Sequence, residues 1–150
     1  MLTTMRKLLC GTAVVATMLA TVGVGPAQPE SAPGCSSTVQ IGSTAYRSYL
    51  GQVVASVKQF KGCGQNWGYI YVWQSFVDGK LPFYLEAGVA VFDSPTHRQP
   101  DRYLGLTRGK VGQRELWSAG ADTLSACTAA YGLISISGAD DHDTLTSIRC

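Results

Sequence analysis

The segment from Val53 to Phe76 constrains the fold of this chain more than any other stretch. It consists of the run VVASVKQF, the short loop KGCGQN and the run WGYIYVWQSF. Both runs are rich in β-branched and aromatic residues, whereas the loop supplies glycine and asparagine. This pattern predicts a β-hairpin, and its second arm is the strongest strand candidate in the sequence.

Alternation divides the second arm into two faces, and neither of them is polar. One face carries four aromatic rings, those of Trp67, Tyr69, Tyr71 and Trp73. The other face carries Ile70, Val72 and Phe76. Because aliphatic side chains gain by leaving water while Tyr and Trp tolerate half-exposure, we assign the aliphatic face to the core. We expect the aromatic face to lie under other side chains or under a ligand.

The rest of the chain also consists of short strand candidates separated by turns. FYLEAGVAVF, residues 83–92, alternates well, and other candidates cover residues 39–41, 45–50, 103–107, 111–118, 133–137 and 145–150. We also assign residues 123–131 to β structure, with one helical turn as the alternative. The total of seven to nine strands predicts an all-β fold, either a small antiparallel sandwich or a barrel.

The first 27 residues have the pattern of a secretory signal peptide. Arg6 and Lys7 precede an uncharged apolar run from Leu8 to Val24, and small residues precede the expected cleavage point after Ala27. The apolar run of 17 residues is at the lower edge of what spans a bilayer, so a retained anchor is the alternative. We expect residues 28–34 to form a flexible leader and residues 35–150 to form one disulfide-stapled β domain.

Net charge argues against two classes of partner. Loss of residues 1–27 leaves ten Lys and Arg against ten Asp and Glu, so the mature chain is near neutral. Neither nucleic-acid binding nor binding to an anionic membrane is suggested by that balance. We therefore expect a secreted protein with no nucleic-acid partner and no membrane association after cleavage. The oligomeric state stays open.

Four cysteines remain after cleavage: Cys35, Cys63, Cys127 and Cys150. An even number in an exported chain indicates structural disulfides. Four cysteines allow three pairings, and we favour Cys35–Cys63 with Cys127–Cys150 because each bridge then closes a short loop in one half of the chain. No Cys-x-x-Cys pair occurs and only His97 and His142 could assist, so we expect no metal site and no cofactor.

The four rings of the aromatic row are the most suggestive functional feature. Flat rings spaced along a strand suit stacking against sugars or burial at a protein interface. The competing interpretation is a second core layer under a crossing sheet, since large exposed apolar patches are uncommon on monomers. The leading hypothesis is a non-catalytic extracellular module that binds cell-wall glycan or a protein through this face.

Two other functions come from other segments. The polar loop DSPTHRQPDR, residues 93–102, has the composition of a surface loop, and in a secreted protease inhibitor Arg98 or Arg102, close to His97, would enter the protease pocket. A small secreted hydrolase would need an imidazole base or paired carboxylates, for which His97, His142, Glu86 and Glu115 are available. No spacing groups them into a recognised site, so we assign no catalytic residue.

The acidic turn at residues 140–143 could bind calcium through its carboxylates. It lacks the spacing of an EF-hand, so we interpret it as a solvated surface turn.

One stretch of the hairpin resembles a known signature. Residues 57–70, VKQFKGCGQNWGYI, resemble a pattern in an uncharacterised family of exported or membrane-tethered actinobacterial domains. That pattern is an aliphatic-basic-aromatic strand, a loop cysteine and a tryptophan four residues later. Val57, Lys58, Cys63 and Trp67 match and Ile70 closes the segment, whereas Gln59 replaces the usual aromatic residue. The resemblance implies an extracytoplasmic, disulfide-stapled domain and no particular reaction.

Overall fold

The computed structural model describes residues 30–150, so the expected signal peptide, residues 1–27, lies outside the described residues. The described chain forms β1 (Glu30–Ala32), β2 (Cys35–Tyr49), β3 (Gln52–Gly62), β4 (Gln65–Val72), α1 (Gln74–Val77), β5 (Phe83–Phe92), β6 (Arg102–Arg108), β7 (Glu115–Trp117), β8 (Cys127–Ile136) and β9 (Asp143–Leu145). The all-β prediction is therefore confirmed. From residue 30 onward, no helix is long and apolar enough to cross a membrane.

The strands form two antiparallel sheets whose edges approach each other. The first sheet has the order β1-β2-β3-β4-β7 and the second has the order β6-β5-β8-β9. On one side, the hydroxyl of Thr107 in β6 donates to the carbonyl oxygen of Trp117 in β7 at 2.7 Å. On the other side, β2 contacts β9. The two sheets therefore nearly close into a barrel, which covers edges that would otherwise pair with other chains.

Two tight turns fix the register of the long hairpins. Leu50 and Gly51 connect β2 to β3, and Cys63 and Gly64 connect β3 to β4. All four residues have positive φ, which is the conformation of a type I′ turn. This turn matches the right-handed twist of antiparallel strands, and the hairpin predicted from residues 53–76 is confirmed at its turn.

The core forms between the inner faces of the two sheets. Val57, Ile70 and Val72 of the first sheet pack against Leu85 and Ile134 of the second. The aliphatic face of β4 is thus buried as expected. Gly68 of β4 and Gly88 of β5 lie opposite each other with no room for a side chain, because a Cβ atom on Gly68 would overlap the carbonyl oxygen of Gly88.

Both disulfides form as predicted. Cys35 bonds to Cys63, which joins the start of β2 to the β3–β4 turn. Cys127 bonds to Cys150, which joins the start of β8 to the final residues of the sequence. Each bridge therefore holds a chain segment at the same end of the two sheets, beside the β3–β4 turn.

Several segments differ from the expected boundaries: of residues 111–118 only Glu115–Trp117 form a strand, and the strand expected from residue 123 begins at Cys127. The second hairpin arm ends at Val72, and α1 brings Phe76 into the core against Phe83 by a helical turn rather than by strand alternation. Residues 30–32 of the expected leader pair with β2, since the start of β2 has an open edge there. At residues 145–150, β9 stops at Leu145; beyond it the Thr146 N–H donates to the Ala130 carbonyl, and Arg149 forms a bridge with Thr128.

Candidate functional site

The register of the first sheet places polar and aromatic side chains in rows on its outer face. Tyr46 of β2 lies opposite Ser56 of β3, which lies opposite Tyr71 of β4. In the next row, Lys58 lies opposite Tyr69, which lies opposite Trp117 of β7. Because neighbouring strands are about 4.8 Å apart, Tyr46 and Tyr71 are separated by about 10 Å across the sheet.

Two of the four rings predicted as a binding face are part of a second core cluster. Trp67 is 5% exposed and Tyr69 is 7% exposed. The ring of Trp117 packs 4.6 Å from that of Tyr69 and 4.9 Å from that of Phe60, measured between centroids. The polar groups of both buried rings are paired, since the Trp67 indole N–H donates to the Gly62 carbonyl at 3.1 Å and the Tyr69 hydroxyl donates to Glu115 at 2.7 Å.

The other two rings of the row are accessible. Trp73 is 43% exposed and Tyr71 is half-buried, and their rings meet edge to face with centroids 6.4 Å apart. The guanidinium of Arg114 lies 5.2 Å from the centre of the Tyr71 ring and donates to the Tyr71 hydroxyl. Arg114 therefore holds Tyr71 in place while Trp73 keeps one surface toward solvent.

These rings border an open groove that we call the aromatic groove. It has a volume of about 380 Å³ and is lined by Thr44, Tyr46, Ser56, Lys58, Tyr69, Tyr71 and Trp73. An apolar depression of about 290 Å³, bordered by Tyr46, Val53 and Trp73, adjoins it. The aromatic groove thus combines ring surfaces with hydroxyl groups and one ammonium group, which is the composition of a site for a polar ligand with flat apolar faces.

Sequence reasoning did not find the part that Tyr46, Ser56 and Lys58 play in this groove. Residues 45–50 were predicted as a strand, but nothing in the sequence indicated that this strand lies beside β3 with Tyr46 on the outer face. The alternating pattern shows which residues share a face of one strand. It does not show which strand is the neighbour or what covers the face.

The polar loop of residues 93–102 is braced by its own charged residues. Arg102 pairs with Asp93 at 3.0 Å, and the carboxylate of Asp101 contacts the His97 ring at 3.0 Å. The backbone N–H of Asp93 also donates to Asp101 at 2.7 Å; this bond, together with His97, lowers the pKa of Asp101 below its usual 3.8. Arg98 is exposed and forms no ion pair with another described residue, whereas Arg102 is held at the base of the loop.

The two candidate carboxylates lie on outer faces of different sheets. Glu86 of β5 accepts from Arg108 at 2.8 Å on the second sheet, while Glu115 accepts from Tyr69 on the first. This separation does not favour a glycosidase-like pair across one cleft. Next to Glu86, burial raises the pKa of Tyr131 to about 12, and the negative charge of Glu86 adds to the effect.

Over residues 30–150, no three His, Cys, Asp or Glu side chains converge as a metal site would require. Comparisons of the chain with models of protein families, with curated proteins and with solved structures found no match. The resemblance of residues 57–70 to a family of exported domains therefore stays a prediction.

Proposed function

We propose that this protein is a secreted, non-catalytic module that binds an extracellular glycan, such as cell-wall glycan, in the aromatic groove. The two disulfides are compatible with an oxidising extracellular compartment. The signal-like pattern of residues 1–27 supports export. The observation that carries the proposal is the pair of accessible rings, Tyr71 and Trp73, at the edge of a groove that also presents hydroxyl groups.

Sugar rings have apolar faces of C–H groups and edges of hydroxyl groups. Trp73 and Tyr46 offer exposed aromatic surface for those faces, with Tyr46 59% exposed. Ser56, Thr44 and Lys58 line the same groove and present hydrogen-bonding groups for the hydroxyl edges. The separation of about 10 Å between Tyr46 and Tyr71 lets a glycan chain contact both, whereas a single sugar would contact one.

The test is retention on insoluble polysaccharides combined with a fluorescence titration. Purified protein is incubated with peptidoglycan, chitin and cellulose, and soluble fragments of the retaining polymer are then titrated while tryptophan emission is recorded. We expect retention on at least one polymer and a change in emission. Trp73→Ala and Tyr46→Ala should each weaken binding about fivefold, since a stacking contact contributes roughly 1 kcal/mol.

Tyr103→Ala is the matched control, because Tyr103 is a partly exposed tyrosine on β6 of the second sheet. It should bind the glycan as the wild type does. A protein that is retained on none of the polymers would rule out the glycan proposal. Unchanged binding by Trp73→Ala would rule out the aromatic groove as the site.

The braced loop of residues 93–102 favours a second candidate function, inhibition of a secreted protease. An inhibitory loop has to be rigid before it binds, and the Asp93–Arg102 and His97–Asp101 pairs hold this loop on both sides of Arg98. Trypsin-like proteases that cleave after arginine are the proteases to assay. Inhibition that is lost in Arg98→Ala would support this function, and full protease activity at saturating protein would exclude it.

A further inference from the structure

A second groove lies at the end of the two sheets, between segments that the disulfides hold in place. It has a volume of about 350 Å³, and its polar lining is formed by Lys61, Asn66, Thr128 and Arg149. Lys61 and Asn66 are cross-strand partners beside the β3–β4 turn that contains Cys63. Thr128 and Arg149 form a backbone bridge, with N–O distances of 2.7 Å in both directions, and each adjoins a cysteine of the second disulfide. We call this cavity the amide groove.

Asn66 and Thr128, which line the amide groove, belong to a buried network of amide and hydroxyl groups. The side-chain N–H₂ of Gln59 donates to the Thr128 hydroxyl at 2.7 Å. The side-chain N–H₂ of Asn66 donates to the Thr123 hydroxyl at 3.0 Å and to the Thr123 carbonyl at 3.1 Å. Gln59 is 0% exposed and Asn66 is 3% exposed, so both amides have left water.

Two acceptors in this network have no donor. The side-chain carbonyl oxygens of Gln59 and Asn66 are buried without a hydrogen-bond partner. The Thr128 hydroxyl has one proton, so it can donate to at most one of the two oxygens, and the Thr123 hydroxyl donates to the Ala121 carbonyl at 3.4 Å. A buried acceptor without a donor lowers the stability of the folded protein, and a molecule that brings a donor into the groove removes that penalty.

The rim of the amide groove carries two exposed cations. Lys61 and Arg149 form no ion pair with another described residue, and both line the cavity. The Arg149 side chain lies along Gly42 of β2, where a Cβ atom would be 3.3 Å from its Cδ atom. Two cations above buried acceptors select a molecule with an anionic group at one end and hydrogen-bond donors at the other.

We propose that the amide groove binds a small hydroxylated carboxylate of the sugar-acid class. The carboxylate lies between Lys61 and Arg149 at the rim, and a hydroxyl group donates to the side-chain carbonyl of Asn66, which lines the groove. Leu124 and Ala126 form the apolar wall that the carbon skeleton contacts. This site does not depend on the proposed function, because the two grooves lie on different faces of the first sheet. Lys61 and Asn66 are on the same face as the inward-facing residues of β3 and β4, whereas the aromatic groove is on the outer face.

The probe for this site is D-glucuronate, titrated into ¹⁵N-labelled protein while the side-chain amide signals of Asn66 and Gln59 are followed by NMR. Glucose, which has hydroxyl groups and no carboxylate, and acetate, which has a carboxylate and no hydroxyl group, are the matched ligands. We expect glucuronate to shift both amide signals and to bind at least tenfold more tightly than glucose or acetate. Equal binding of acetate and glucuronate, or amide signals that do not move, would overturn the proposal.

Variants then locate the bound acid. Lys61→Gln and Arg149→Gln change exposed side chains and should each weaken glucuronate binding about tenfold, because each removes one charge from the rim. Lys110→Gln is the control, since Lys110 is an exposed lysine in the turn after β6 and lines neither groove. Binding that survives loss of both rim cations, or that is lost in Lys110→Gln, would contradict the assignment to the amide groove.

Discussion

Gly68 of β4 and Gly88 of β5 face each other across the interior at a distance that only two backbones allow. A Cβ atom on Gly68 would overlap the carbonyl oxygen of Gly88. Backbone atoms cannot rotate aside as a flexible side chain can. The spacing of the two sheets at this point, and with it the packing of Ile70 and Val72 beside it, depends on the missing side chain.

Gly68→Ala should therefore destabilise the fold strongly. We expect it to lower the free energy of unfolding by about 3 kcal/mol, because the sheets must separate or shift to admit the methyl group. Gly64→Ala is the control, since Gly64 has φ of +73° and open space around its Cβ position, and should cost only about 1–2 kcal/mol of backbone strain. The measurement is denaturant unfolding of both variants. A Gly68→Ala protein that is at least as stable as Gly64→Ala would contradict this packing.

The two disulfides should differ in their contribution to the free energy of unfolding, although they close loops of similar size. The bridged residues are 28 and 23 positions apart, so loop entropy predicts a loss of about 3.5 kcal/mol on removing either one. Cys35 is 2% exposed and packs against Phe60 and Trp67, whereas Cys150 is exposed. Removing the first bridge thus also disturbs a packed cluster.

We expect the double variant Cys35→Ala/Cys63→Ala to be less stable than Cys127→Ala/Cys150→Ala, by about 1 kcal/mol or more. Chemical unfolding of both double variants under identical conditions measures the difference. Equal stabilities would mean that the cluster around Cys35 repacks around the substituted alanine without loss of stability. The reverse order would show that pinning residues 149–150 matters more than packing.

The exposure of the tryptophans predicts how their fluorescence is quenched. Trp73 is 43% exposed, Trp67 is 5% exposed and Trp117 is packed between Phe60 and Tyr69. Acrylamide should quench mainly the emission of Trp73. This emission should also have a longer wavelength than that of the two other tryptophans, because Trp73 has polar surroundings. Trp73→Phe should remove most of the quenchable emission, whereas Trp67→Phe should leave it in place. If Trp67→Phe removes the quenchable emission instead, then Trp67 and not Trp73 is the exposed ring, which would contradict the structure.

Tyr131 should titrate later than an ordinary tyrosine. Its pKa is raised from 10.0 to about 12, first by burial of the phenol and then by the charges of Glu86 and Asp143. The folded protein holds this proton more tightly than the unfolded chain, so the stabilising contribution is complete below pH 10.0 and is lost as the pH rises to about 12. Phenolate absorbance, recorded directly after a pH jump, should show a late step that is absent in Tyr131→Phe.

The urea-unfolded protein provides the reference for that titration, because all its tyrosines are exposed to solvent. A late step that persists in Tyr131→Phe would assign it to another phenol. Tyr103 is the first one to examine, since its ring lies 4.8 Å from that of Tyr131 and burial also raises its pKa. A wild-type titration with no late step would contradict the burial of Tyr131 altogether.

Several features of the fold could be predicted because they depend on local chemistry. The limits of β5 match the predicted residues 83–92, since strict alternation is bounded by a proline and a polar loop. The favoured pairing of the four cysteines rested on the advantage of short loops, and the structure confirms it. The burial of Ile70 and Val72 followed from their aliphatic side chains. These outcomes need no knowledge of distant neighbours.

The sequence by itself determined that the chain is all-β and which face of β4 carries the rings, and it favoured the disulfides Cys35–Cys63 and Cys127–Cys150 without deciding between the three pairings. Only the tertiary structure decided that Trp67 and Tyr69 are covered while Trp73 is open, because their cluster is completed by Cys35 of β2 and Trp117 of β7, which are distant in the sequence. The same holds for Gln59, Asn66 and Thr128, which meet in the interior from three strands. Alternation is a property of one strand, whereas exposure depends on which strands the register brings together.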